Sequence, residues 1–156
     1  MIFSIKSAIG EEKQVIFNLL QSYLNELSSF PNEQIDYKDN KGIFHYPYLD
    51  DYWHKSERHP YILLNDNVIA GFALVRKAVE HWEIAEFYVL PEYRRCGLAT
   101  FCAIEIFKKH PGKWRIDFNK HNQPSRALWW KLANSLSKDI STGELSASHN
   151  YIRFSC

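Results

Sequence analysis

A strand, a tight turn and a helix follow one another without a break between Trp82 and Lys109. The apolar run WEIAEFYVL is typical of a strand buried on both faces, and Pro91 ends it. A helical pattern begins at Leu98, directly after the segment Arg94-Arg95-Cys96-Gly97. A glycine turn at a helix start leaves several backbone N–H groups without helical partners, and such groups attract anions. The segment therefore predicts an α/β fold with an anion-binding turn.

Further strand and helix patterns lie on both sides of this segment. They predict a first strand in IFSIKSA, an apolar helix stripe from Val15 to Leu27, a β-hairpin made of YILL, the turn NDN and VIAGFALVR, a strand in WRIDF, a helix from Pro124 to about Leu136 and a strand-rich tail. Residues 29–59 form an irregular, aromatic-rich connection. Because no repeat or linker divides the chain, we expect one domain over residues 1–156.

Composition narrows the classes of partner. The 156 residues are 46% hydrophobic and 24% charged, which is typical of a globular protein, and the formal net charge is +1. This balance disfavours a nucleic-acid-binding surface and a membrane-binding tail. The chain contains no apolar run long enough to span a bilayer, and MIFSIKSAIGEEKQ lacks the features of a signal peptide. We therefore expect a cytoplasmic protein whose partner is a small molecule or peptide.

The cysteines and histidines give no sign of a metal site. Cys96, Cys102 and Cys156 form no CxxC pair, and the seven histidines are scattered without ligand spacing. We expect reduced thiols and no bound metal.

The turn and its surroundings resemble motif A of the GNAT superfamily of N-acetyltransferases. That motif is Arg or Gln, two residues, Gly, one residue, then Gly or Ala, and Arg94, Gly97 and Ala99 match it. The lead-in from Val89 to Tyr93 and the order of elements along the whole chain are also similar. The resemblance implies a GNAT-like α/β fold: a central mixed, mostly antiparallel, twisted sheet of about six or seven strands, flanked by about four helices.

The resemblance also implies acetyl-coenzyme A as the cosubstrate. In the GNAT superfamily, backbone amides of this turn hold the coenzyme diphosphate, and charge from Arg94 and Arg95 supports them. Free backbone groups of the preceding strand pair with the pantetheine arm, and one N–H polarises the thioester carbonyl. The implied coenzyme-binding residues are Phe87, Tyr88, Val89, Arg94, Arg95, Cys96, Gly97, Leu98, Ala99, Thr100 and Asn122.

Acetyl transfer to an amine needs a base, and three carboxylates are candidates. Glu83 has the spacing to Arg94 at which histone-type family members carry a glutamate base, and it is our first choice. Strand alternation predicts that it shares a face with Phe87. Asp117 comes second, since it takes the place of a glutamate in N-terminal-amine acetyltransferases of the family. Strand alternation places Glu86 on the face opposite Glu83. The alternative for each of the three carboxylates is that it forms a structural ion pair with a nearby cation.

The residue that would act as general acid toward the leaving thiolate differs from the one usual in the family. A tyrosine usually follows the family asparagine by seven residues, and from Asn122 that count gives Trp129, whose indole is not a usable proton source. Either the thiolate leaves without enzymic protonation, or another tyrosine such as Tyr88 or Tyr151 supplies the proton. We expect Trp130 to be a core anchor of its helix.

The aromatic connection is predicted to bind the acceptor. Aromatic faces and carboxylates suit a cationic amine, which gives Tyr48, Asp51 and Tyr52 as candidates. An aromatic mini-core under the loop is the structural alternative.

The leading hypothesis is therefore an N-acetyltransferase that moves an acetyl group from acetyl-coenzyme A to a primary amine in a ternary complex. The protein is expected to act as a monomer or homodimer. The alternative is a GNAT-like domain that binds an acyl-coenzyme A, or a protein partner, without turnover.

Overall fold

The computed structural model describes residues 1–156 and contains a seven-stranded sheet and four α-helices. The strands are β1 (Phe3–Ser7), β2 (Arg58–Asn65), β3 (Val68–Lys77), β4 (Trp82–Val89), β5 (Lys113–Asn119), β6 (Ser141–Glu144) and β7 (His149–Ser155). The helices are α1 (Glu12–Leu27), α2 (Asp51–His54), α3 (Leu98–Lys109) and α4 (Gln123–Leu136), with a 3₁₀ turn at Pro91–Tyr93. This confirms the predicted α/β fold class.

The sheet has the order β1-β2-β3-β4-β5-β7-β6, and only the β4–β5 pair is parallel. These two strands pair only where they begin, at Trp82 with Trp114 and at Glu83 with Arg115. Beyond those pairs they separate. We call the gap between the second half of β4 and the second half of β5 the fork.

Two apolar cores cover the two faces of the sheet. On one face, α3 and α4 pack over a core that includes Ile106, Phe107, Trp114, Trp129 and Leu132. On the other face, α1, α2 and the connection between them cover a second core. Its members include Ile16, Leu20, Phe44, Tyr46, Tyr52, Phe72 and Tyr88. Because helices cover both faces of the sheet, the fork is an opening in the sheet that connects the α3/α4 side with the α1/α2 side.

A bulge in β4 changes the direction of its carboxylates. Leu74 pairs with Glu86 and Val75 pairs with Ile84, so Ala85 has no partner on β3. One unpaired residue shifts the alternation of all residues before it. The predictions that Glu83 shares a face with Phe87 and opposes Glu86 were therefore wrong. Both glutamates lie on the α1 face.

The local sequence explains how the elements beside the site begin and end. The β2–β3 turn uses Asp66 and Asn67, which both have positive φ (50° and 65°), as the NDN sequence predicts. Helix α4 begins after Asn122, whose Oδ1 accepts a hydrogen bond from the Ser125 N–H at 3.2 Å. Trp130 was expected in the core, but it is 49% exposed because α4 turns only its Trp129 side toward the sheet. None of the helices has the length and apolar composition needed to cross a bilayer.

Candidate active site

A cavity of about 740 Å³ passes through the fork. On one face it is lined by the start of α3 and by α4, and on the other by the end of α1 and the loop after it. Its floor is β4 from Ala85 to Val89, and its far wall includes Asp117 and Asn119 at the end of β5. The cavity therefore joins the turn before α3 to the Glu86 carboxylate on the α1 face.

The turn before α3 presents backbone N–H groups to this cavity. Residues 95–100 donate no backbone hydrogen bond within the protein, and the first helical bond runs from Phe101 N–H to the Gly97 carbonyl. Arg95 and Gly97 have φ values of 60° and 93°, so left-handed residues alternate with others along the turn. Such alternation turns successive N–H groups toward one point, and the α3 dipole adds positive potential there. We call residues 95–100 the amide cradle.

The two arginines of the turn have different roles. The Arg94 guanidinium donates to both carboxylate oxygens of Glu26 at 3.0 and 2.8 Å, and its Nε donates to the Val89 carbonyl at 2.8 Å. It also lies 5.5 Å from the ring centre of Tyr88. Arg94 therefore ties the turn to α1, and its charge is already paired. Arg95 lines the cavity and makes no ion pair or side-chain hydrogen bond, so it is the cation available to a phosphate.

Glu86 lines the cavity on the α1 face. Its two oxygens accept hydrogen bonds from the hydroxyl groups of Tyr23 and Tyr46, each at 2.7 Å. Burial raises the pKa of Glu86 above its ordinary value, and the two tyrosine bonds offset this only in part. A carboxylate with a raised pKa that faces a cavity is suited to accept a proton from an amine.

Glu83 lies outside the lining of the cavity, buried in an ionic network. Its oxygens contact Arg76 at 2.6 Å, His81 at 2.8 Å and Arg115 at 3.0 Å. Burial alone would raise the pKa of Glu83, but hydrogen bonds from His81 and Arg76 lower it overall. Its role as the base remains a prediction, and this geometry favours a structural ion pair.

Asp117 does line the cavity, but its carboxylate is also paired. Arg115 binds both oxygens, through Nε at 2.9 Å and Nη2 at 3.0 Å. Since Arg115 also contacts Glu83, the two predicted bases belong to one network at the base of the fork.

The predicted acceptor residues lie away from the cavity. Tyr48 and Tyr52 place their rings 5.6 and 5.2 Å from the guanidinium of Arg58, so the chain's own arginine takes the cation position. Asp51 pairs with Lys55 at 3.5 Å. Tyr52 is only 4% exposed within the second core. The structure therefore favours the alternative reading of this connection as an aromatic mini-core.

The family model for the acetyltransferase (GNAT) family matches residues 20–133, which include the amide cradle, β4, β5 and most of α4. The chain belongs to the GNAT acetyltransferase family. No curated protein matches the chain in sequence.

Solved structures with this fold cover most or all of the chain at low identity. The PaiA N-acetyltransferase of Thermoplasma acidophilum, solved with coenzyme A, has a TM-score of 0.67 at 11% identity, covering 100% of both chains. A Bacillus anthracis protein solved with acetyl coenzyme A has a TM-score of 0.55 at 18% identity, covering 82% of this chain and 72% of its own. The ribosomal-protein-S18-alanine N-acetyltransferase of Escherichia coli has a TM-score of 0.62 at 12% identity, covering 99% and 94%. At these identities the likeness shows the fold.

The remaining residues that the resemblance implies for coenzyme binding lie at the cavity or support it. Phe87, Tyr88, Val89, Ala99, Thr100 and Asn122 line the cavity. Cys96 and Leu98 contribute backbone N–H groups to the amide cradle, while their side chains pack against the protein. The Cys96 thiol donates to the Tyr93 carbonyl at 3.1 Å.

Trp129, at the GNAT tyrosine position, is buried against Phe87 with ring centres 5.2 Å apart. Its indole N–H donates to the Ser125 hydroxyl oxygen at 3.1 Å, and both residues line the cavity. Of the two tyrosines considered as replacements, Tyr88 lines the cavity and Tyr151 does not.

Several residues that line the cavity or support its lining were not among the predicted site residues. Tyr23, Tyr46 and Glu26 act through partners 40 to 68 residues away, and Glu33 and His149 meet across 116 residues. No local pattern signals such pairs. Glu86 was recognised as a carboxylate, but the bulge that puts Glu83 on the same face has no marker in WEIAEFYVL.

Proposed function

We propose that this protein transfers the acetyl group of acetyl-coenzyme A to the primary amine of a small molecule or peptide. The observation that carries this proposal is one continuous cavity that joins the amide cradle to the Glu86 carboxylate. An anion site at one end and a base at the other, with a strand edge between them, are the parts that direct acetyl transfer to an amine requires.

The amide cradle would hold the coenzyme diphosphate. Six consecutive N–H groups without protein acceptors and the unpaired Arg95 provide donors and charge. The pantetheine arm would then run along Phe87–Val89, where β4 has separated from β5 and its edge faces the cavity. A free N–H of this edge would polarise the thioester carbonyl. The relatives solved with coenzyme A and acetyl coenzyme A support this placement.

Glu86 is the base that we assign. The amine nitrogen attacks the carbonyl carbon of the thioester, the carbon–sulfur bond breaks, and the coenzyme leaves as a thiolate. The nitrogen loses a proton to the Glu86 carboxylate, whose raised pKa suits this transfer. Tyr23 and Tyr46 hold the carboxylate in place through its two oxygens.

Ser125 is the group that we assign to the leaving thiolate. Its oxygen already accepts the Trp129 N–H, so its own hydroxyl proton is free to donate into the cavity. This bond stabilises the thiolate without a full proton transfer, because thiolates of ordinary pKa, about 8.5, are acceptable leaving groups. Trp129 thereby acts as a positioning residue where other GNAT members carry a tyrosine.

A second function, binding of an acyl-coenzyme A without turnover, draws support from Trp129 alone, since the usual acid is missing. Thiol release from acetyl-coenzyme A, measured with a mixed panel of primary amines, separates the two functions. The proposal expects amine-dependent thiol release with formation of an acetamide, both strongly reduced in Glu86→Gln. Tight coenzyme binding with no amine-dependent release would support the non-catalytic function instead.

A further inference from the structure

Three side chains bridge the cavity on the α1 face. The Glu33 Oε1 atom accepts hydrogen bonds from Asn119 Nδ2 at 3.1 Å and is 2.8 Å from His149 Nε2. Asn119 Nδ2 also donates to the Pro31 carbonyl at 3.0 Å. Glu33, Asn119 and His149 all line the cavity. We call these three residues the roof bridge.

The roof bridge spans the two prongs of the fork. Glu33 belongs to the loop that follows α1, and α1 packs over β3 and β4. Asn119 ends β5 and His149 begins β7, which pair with each other on the other side of the gap. A connection between these elements therefore passes over the fork on the face that carries Glu86.

The bridge is held from behind by further hydrogen bonds. The Ser148 hydroxyl lies 2.9 Å from His149 Nδ1, and the Asn119 Oδ1 atom accepts from the His121 N–H at 2.9 Å. Asn119 is only 4% exposed, and the Glu33 side chain is 13% exposed. The His149 side chain is 30% exposed. A bridge whose members are each partly or fully buried and make two hydrogen bonds is a more fixed part of the wall than an exposed ion pair.

We propose that the roof bridge closes the acceptor end of the cavity and restricts the acceptor to a small-molecule primary amine. This inference rests on the proposed function. A peptide chain needs an open groove in which residues on either side of the reacting amine can lie, and the bridge occupies that path. The cavity of about 740 Å³ must also hold the pantetheine arm, which leaves room for a compact amine. The Glu86 carboxylate, whose two hydrogen-bond partners are neutral tyrosine hydroxyls, favours a cationic one.

The test compares two classes of acceptor with the same acetyl-coenzyme A. One panel contains small primary amines: diamines, amino acids and amino sugars. The other contains decapeptides with free N-terminal alanine, serine or methionine and an internal lysine. Both are incubated with wild type, Glu33→Ala, His149→Ala and the control Asp36→Ala, and acetylated products are counted by mass spectrometry. Asp36 is exposed in the same loop, and its carboxylate forms no ion pair or hydrogen bond, so its removal tests for loop effects.

Wild type is expected to acetylate at least one small amine and to acetylate every peptide only at a trace rate, with the detection limit taken as the wild-type value where no product is seen. The ratio of peptide to small-amine acetylation should rise at least tenfold in Glu33→Ala or His149→Ala, whichever folds, and stay unchanged in Asp36→Ala. Wild-type acetylation of a peptide at a rate equal to that of the best small amine would overturn the inference alone. So would an unchanged ratio in both bridge variants. Transfer to neither class would overturn the proposed function, and this inference with it.

Discussion

Glu86 and Glu83 lie on the same face of the sheet because a single residue of β4, Ala85, has no partner on β3. Simple alternation would place Glu86 on the face opposite Glu83, and the bulge instead puts both on the α1 face. The two glutamates differ in the groups that surround their carboxylates. Glu86 receives two neutral tyrosine hydroxyls, whereas Glu83 is surrounded by Arg76, His81 and Arg115. Environment, more than sequence position, distinguishes the proposed base, Glu86, from the ion-paired Glu83.

Glu86→Gln should lower the rate of catalysis, whereas Glu83→Gln should lower the stability of the fold. Glu86→Gln is expected to lower kcat roughly 100-fold or more, with the acetyl-coenzyme A Kd within about twofold of wild type, because it removes a general base. Glu83→Gln is expected to keep kcat per folded molecule and to lower the free energy of unfolding by about 1–3 kcal/mol, since buried partners lose a charge. Steady-state kinetics, calorimetry and urea unfolding measure the two. A large loss of kcat in Glu83→Gln alone would restore Glu83 as the base.

The arginines of the turn show what a motif match leaves open. Arg94 is the residue that matches the family pattern, yet its guanidinium is bound to Glu26 and to the Val89 carbonyl. The neighbouring Arg95 is free, and its left-handed backbone contributes to the shape of the amide cradle. The sequence predicts that this turn binds an anion, but it does not show which of the two adjacent arginines is free to contact that anion.

Arg95→Asn should weaken coenzyme binding without harming the fold. Asparagine tolerates the left-handed φ of 60°, so the turn is kept while the charge is lost. We expect the Kd for coenzyme A to rise about fivefold at low salt, ~1 kcal/mol, and the difference to shrink as salt is added. Arg126→Gln, which removes an exposed charge outside the cavity, is the control. Equal Kd values for Arg95→Asn and wild type at low salt would show that this cation does not contact the coenzyme.

At the scale of elements, the strand and helix patterns were strong enough to predict most of the fold. The α3 helix, the capped start of α4 and the β2–β3 turn each follow from local sequence. The structure of the aromatic connection does not follow from local sequence, because no local pattern shows that Tyr48 and Tyr52 pack against Arg58. Long-range pairing decides that part of the structure.

The end of α3 carries a pH-sensitive contact far from the cavity. His110 caps the helix, its Nε2 lies 2.6 Å from the Tyr61 hydroxyl, and its ring centre is 4.6 Å from that of His59. Burial, with the nearby charge of His59, lowers the pKa of His110 to about 4. An unfolded histidine takes up its proton near pH 6.5, so between about 6.5 and 4 the unfolded chain binds more protons.

The free energy of unfolding should therefore fall as pH decreases through that window. Burial lowers the pKa of His59 as well, so His59 acts in the same direction. Urea unfolding at pH 7.5, 6.5 and 5 is expected to give a smaller loss of stability in His110→Gln than in wild type. The same loss in both proteins would show that His110 does not titrate differently on unfolding.

At the scale of the whole molecule, the site exists because β4 and β5 pair only where they begin. The fork creates a passage between the two faces, the amide cradle stands at one side, and Glu86 and the roof bridge stand at the other. The GNAT motif predicts the coenzyme side of this cavity, and that assignment stays a prediction. The sequence predicts the acceptor site at Tyr48, Asp51 and Tyr52, away from the cavity, because the residues that line its other end come from separate parts of the chain and are brought together only by the fold.

The central claim is that the amide cradle binds the coenzyme diphosphate, and calorimetric titration of acetyl-coenzyme A tests it most directly. Gly97 has a φ of 93°, so Gly97→Val forces a strained backbone onto the cradle. Gly10→Val imposes a similar strain at φ 49°, outside the cavity, and is the control. We predict binding to wild type and Gly10→Val and at least roughly tenfold weaker binding to Gly97→Val, a loss of ~1.4 kcal/mol. Equal binding to all three proteins, or no binding to wild type at low salt, would contradict this account.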